Sequence, residues 1–120
     1  MKYPEMRTEL LGYLKDLSNW DYQNNCWVNG NCPPGIEHDE LDYSIHFLFD
    51  DTALSDNPES LIDVFLKDKE EADSIKSLCN ELQMVFEKYG TDLSDSEYIN
   101  LLEWKGVIAL AQAALAKLSQ

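Results

Sequence analysis

Two apolar stripes at helical period constrain this chain most. Ile75, Leu78, Cys79, Leu82, Val85, Phe86 and Tyr89 recur at spacings of three, four and seven residues. On a helix they form one face that must be buried. Gly90 follows directly, where a residue free to turn left-handed ends a helix. Beyond it, Trp104, Val107, Ile108, Ala111, Leu115 and Leu118 make a second stripe. Alanines at 109, 111, 113, 114 and 116 favour that helix and let a neighbour approach closely. Two such faces need each other, so the chain reads as all-α.

The rest of the chain fits that frame. Leu10, Leu11, Leu14 and Leu17 predict a first helix over roughly 4 to 18, with Pro4 suited to its first turn. Ser94 and Glu97 have the spacing of a capping box, and Asn57-Pro58 predicts a short helix over 58 to 65. Residues 39 to 53 allow two readings. Tyr43, Ile45, Phe47 and Phe49 alternate as in a strand, whereas Leu41, Ile45, Leu48 and Phe49 share a helical face. The helix is favoured, with Asp39 as its cap. Residues 19 to 37 carry Asn-Gly, Pro-Pro and Pro-Gly breakers and read as a long loop rich in aromatics. The expectation is a single domain over 1–120, a compact bundle of about five helices with that loop after the first.

Charge is distributed unevenly. The formal net charge is -14, and no lysine or arginine lies between Lys15 and Lys67. That interval holds Asp16, Asp21, Glu37, Asp39, Glu40, Asp42, Asp50, Asp51, Asp56, Glu59 and Asp63. Such a surface repels phosphate backbones and anionic lipid, and attracts basic proteins. Nucleic acid and membrane are therefore not the expected partners. A one-signed half can also serve solubility alone.

Residues 1 to 18 carry Glu5, Arg7, Glu9, Lys15 and Asp16, which leaves no apolar core for a secretory leader. No apolar run reaches the length of a membrane span. With three cysteines, Cys26, Cys32 and Cys79, full internal pairing cannot occur. These features predict a cytoplasmic protein. A Cys26–Cys32 disulfide is compatible with the spacing but unusual in that compartment.

Site chemistry offers little. His46 and Asp50 are four apart and share a helical face, yet no paired metal motif accompanies them. The acids lack the ligand pattern of a calcium loop. Asp50 and Asp51, as helical neighbours, point about 100° apart and make a poor acid–base pair. Either of them can instead cap the turn that follows, through the "DDT" stretch. No basic partner is evident for any cysteine. The expectation is no catalytic residue, no metal and no cofactor.

Three stretches carry a resemblance. "HFLFDDTAL", "SDSEY" and "WKGVIALAQAAL" resemble a family of small, acidic bacterial proteins of unassigned function, over roughly residues 40 to 118. Its motifs are F-D-D-T, S-D-x-x-Y and W-x-x-V-x-x-A, and it offers no catalytic residues to transfer. In size and charge the chain also resembles the immunity proteins of contact-dependent inhibition and related toxin systems. That second resemblance implies a cytoplasmic protein that neutralises a cognate, basic, nuclease-type toxin by binding it. The expected contact residues are Trp20, Asp21, Tyr22, Trp27, Asp39, Glu40, Asp42, Asp50 and Asp51, because aromatic anchors and complementary charge dominate such interfaces. The alternative is an acidic regulatory or adaptor protein that binds a basic partner and has nothing to do with toxins. A third reading is an enzyme or metal protein centred on His46 and Asp50.

Overall fold

A computed structural model describes residues 1–120 and contains helices and turns with no strand. Helix α1 is Pro4–Leu17 and α2 spans 20–28. Helix α3 spans 41–51, α4 is Lys69–Tyr89, α5 is Asp95–Ile99 and α6 is Trp104–Leu118. A 3₁₀ turn at Pro58–Leu61 takes the place of the longer helix expected over 58 to 65.

The two stripes meet as expected. Helix α6 packs against α4 on one side and α1 on the other. Ile75, Leu78, Cys79, Leu82 and Val85 are buried on α4, facing Trp104, Val107, Ala111, Ala114 and Leu118 on α6. Leu10, Leu14 and Leu17 complete the core from α1. The Asp68 side chain accepts from the Glu71 N–H and starts α4, and Gly90, at φ +83°, ends it. Ser94 and Glu97 form the full capping box at α5.

One ion pair ties the three helices together. Arg7 reaches both carboxylate oxygens of Glu71, at 2.9 and 2.8 Å, and also donates to the carbonyls of Phe65 and Leu118. Glu71 also accepts from the Lys67 N–H. Burial pushes the Glu71 carboxyl up, but the hydrogen bonds from Arg7 and Lys67 outweigh it and hold the group below its usual range.

The first half of the expected long loop after α1, residues 20–28, is helical, and the rest is irregular. The Asn19 side chain accepts from the Tyr22 N–H, and the chain then runs through one helical turn, Trp20–Tyr22, into wide π-helical turns over Gln23–Val28. The widening brings Gln23, Cys26 and Trp27 inward together. Breaker residues still end the element: Gly30, at φ +73°, follows it, and Cys26 is bonded to Cys32 across the turn.

Residues 41–51 are helical rather than extended, and their second half is again π-helical. Asp39 does not cap this helix through its side chain. Asp95, from α5, accepts the Leu41 N–H at 3.0 Å instead. Neither Asp50 nor Asp51 caps the next turn. Thr52 does so, donating to the Phe47 carbonyl and accepting from the Leu54 N–H.

Candidate functional site

The basic-free interval divides into an inward set and an outward set of side chains. The inward set centres on Asp39, which is only 7% exposed. Its Oδ2 accepts from the Tyr22 hydroxyl at 2.5 Å and from the Trp27 indole at 3.0 Å, and its Oδ1 accepts from the Glu40 N–H at 2.9 Å. Asp16, on α1, lies beside it. Burial, together with the charge and hydrogen bonding of Asp39, pushes the Asp16 carboxyl up to about 7. Three donors aim at Asp39 and none of them reaches the Asp16 carboxyl, so burial beside another carboxylate favours a proton on Asp16. Nearby, the buried Gln23 donates to the Asp16 carbonyl and accepts from the Trp104 indole. This network clamps α2 and the strand-like lead into α3 onto α1 and α6.

Tyr22, Trp27 and Asp39 were expected at a contact surface. The structure turns Trp27 and Asp39 inward and engages the Tyr22 hydroxyl with Asp39. Loop residues flanked by breakers can hide aromatics when a buried carboxylate receives their polar atoms. These three therefore shape the surface from beneath it.

The outward set surrounds an open hollow of about 360 Å³ between α3 and the start of α5. Trp27 and Val28 form its apolar wall, Glu40, Asp42 and Asp95 bring carboxylates to it, and His38 lines it beside them. His38 and Glu40 are paired at 2.9 Å. Asp42 and Asp95 have no cation partner, whereas Glu59, Glu70, Glu71, Asp73 and Glu103 each pair with a lysine or arginine. Asp95 rides above its usual range, through burial first and then the nearby carboxylates Asp42, Glu40 and Asp39, against the Leu41 N–H, which lowers it. The hollow is thus a concentrated negative field.

Helix α5 joins this hollow to an apolar patch. Trp20 is 38% exposed, and its indole donates to the Ile99 carbonyl at the far end of α5. Leu102, 75% exposed, stands in the same depression as Trp20 and Ile108. Asp21 is exposed beside Trp20. Asp50 sits away from the hollow and pairs with His46 at 2.5 Å, a hydrogen bond that raises the histidine above its ordinary value. Asp51 is exposed and ends α3.

Of the nine expected residues, the structure gathers Glu40 and Asp42 around the hollow, with Trp27 as its wall. It sets Trp20 and Asp21 beside the apolar patch. Asp95 and Leu102 were missed. Asp95 lies inside the stretch whose capping box was read from Ser94 and Glu97 alone, and Leu102 belongs to neither apolar stripe. No group of three or more histidine, cysteine, aspartate or glutamate side chains gathers in a metal-binding arrangement. Burial pushes the Cys79 thiol up to about 12, so it is not a ready thiolate.

The chain belongs to DUF7945. That family is described as a domain of unknown function, and its model matches residues 1–120. No curated protein and no solved structure matches the chain. No helix of this DUF7945 chain is long and apolar enough to cross a membrane.

Proposed function

We propose that this protein binds a basic protein through the face formed by the hollow and the Trp20–Leu102 patch, without catalysis. The observation that carries the reading is the hollow itself, where Asp42 and Asp95 share a concave surface with Glu40 and lack any lysine or arginine of their own. Lysine or arginine side chains of a partner would supply the missing charge, and the exposed Trp20 and Leu102 would supply apolar contact. Carboxylates around a hollow steer a basic partner, and exposed tryptophan is a common energetic anchor.

The specific form we favour is toxin immunity: neutralisation of a cognate, basic, nuclease-type toxin in the cytoplasm. An inhibitor of a nuclease profits from carboxylates where the enzyme keeps cations for phosphate. In that compartment the cellular thiols would tend to open the Cys26–Cys32 bond. The alternative is an acidic adaptor for a basic partner outside any toxin system.

The test is capture of the product of the gene directly upstream by the purified chain, followed by stopped-flow kinetics. Association should slow steeply from 0.01 to 0.15 M salt, as the screening length falls from about 30 to about 8 Å, while dissociation changes little. Asp42→Lys should weaken binding far more than Glu87→Lys on the exposed side of α4. A flat association rate, or equal effects of the two substitutions, would refute the assignment of this face.

A further inference from the structure

A second concave surface lies at the other end of α3. It is a groove of about 490 Å³. Tyr3 and Met6 of the N-terminal segment form one side, Leu61, Val64 and Phe65 the other, and Ala53 lies between. Its walls are held by backbone and side-chain hydrogen bonds. The Lys2 and Tyr3 N–H groups donate to the Asp63 and Val64 carbonyls, at 3.1 and 2.8 Å, and Arg7 donates to the Phe65 carbonyl at 3.1 Å. The groove is therefore preformed, which lowers the ordering cost of filling it.

Its rim is acidic. Glu5 and Asp51 line the groove from α1 and α3, both are exposed, and neither is in an ion pair. Of the cations beside it, Arg7 is already paired with Glu71 and Lys2 lies over the Tyr3 ring. A second copy of this chain is a poor occupant, because it brings a net charge of -14 against the same charge. We propose that the groove receives an apolar side chain of a basic protein partner, flanked in that partner by lysine or arginine that meets Glu5 and Asp51. The inference rests on the reading of the protein as a binder of basic proteins. It adds a second contact, at the opposite end of α3 from Asp42.

Three hexapeptides test it against the isotopically labelled full chain by amide NMR at fixed low salt. They are Lys-Lys-Leu-Trp-Lys-Lys, Lys-Lys-Gly-Ser-Lys-Lys and Glu-Glu-Leu-Trp-Glu-Glu. The first should shift the amides of Met6, Ala53, Leu61 and Val64 and bind about tenfold more tightly than either of the others, as expected when an anchor and its flanking charges both count. Asp51→Lys, on an exposed side chain, should remove most of that advantage, and Ala53→Leu should weaken the first peptide by filling the groove. Equal binding of the Gly-Ser peptide at the same amides would overturn the apolar component. Equal binding of the acidic peptide would overturn the charge component. Concentration-dependent shifts of these amides without peptide would assign the groove to a second copy instead. Loss of groove binding while Asp42→Lys still weakens cognate capture defeats this inference alone. Groove binding intact with Asp42→Lys silent defeats the hollow alone.

Discussion

Asp16→Asn should change the pH dependence of stability in the way that a buried, raised carboxyl requires. In the folded chain the Asp16 carboxyl is pushed from 3.8 to about 7 by burial and by Asp39. The unfolded chain releases this proton near pH 4, and the folded chain keeps it. Folding therefore binds a proton between these values, and stability falls as pH rises through that window. Its contribution is full below pH 3.8 and gone above about 7. A shift of roughly three units corresponds to about 4 kcal/mol, and partial solvent access reduces that to about 2–3 kcal/mol. This is a large share of a typical total of about 5–15 kcal/mol. Asparagine keeps the shape and can donate to Asp39, but it does not titrate. Urea unfolding of both chains at pH 5, 6, 7 and 8 measures the effect. The variant should gain on the wild type by about 1 kcal/mol per pH unit up to pH 7, and then the difference should level off. Subtracting the two chains removes the titrations of His46, Asp95 and Glu71, which both share. Parallel curves would refute the raised Asp16 carboxyl and leave Asp16 an ordinary surface carboxylate.

Leu82 is fully buried between α4 and α6, so Leu82→Ala should cost about 2–5 kcal/mol in urea unfolding; a loss under about 1 kcal/mol would mean the core lies elsewhere. Arg7→Met strands a Glu71 that is 1% exposed and should cost about 3–5 kcal/mol, while replacing both partners with apolar residues should recover much of it. Reduction of Cys26–Cys32 opens a loop of six residues; the chain-entropy estimate is about 2 kcal/mol, and the Trp27 emission should stay native because Asp39 still holds the indole.

The helical bundle was legible because its signals are local and redundant. The stripes of α4 and α6, the glycine at 90 and the capping box at 94 to 97 each specify their own stretch without reference to the rest. Residues 20 to 28 were misread because their breakers cluster at one end, in Gly30, Pro33, Pro34 and Gly35, and say nothing about the start. What holds that start is non-local. The Trp104 indole meets Gln23 and the Ile99 carbonyl meets Trp20, over separations no window of periodicity covers. The cap of α3 escaped for the same reason, since Asp95 supplies it from a distant part of the chain.

The candidate face was legible only in its charge. Counting carboxylates in a basic-free interval found the region but could not sort Asp39 from Asp42, three residues apart. The sorting is physical. A carboxylate can be buried when donors replace its water, and Tyr22, Trp27 and the Glu40 N–H provide them at Asp39. No such donors reach Asp42, which stays exposed at the hollow. Substituting Trp27 or Asp39 would weaken binding and folding together, because the same atoms clamp α2 and α3. Asp42, Leu102 and Trp20 differ in this respect. Asp42 and Leu102 are exposed without side-chain partners, and Trp20 keeps only one hydrogen bond. Loss of binding at Asp42 and Leu102 with unchanged unfolding would therefore report contact with a partner, and the same loss at Trp27 would not.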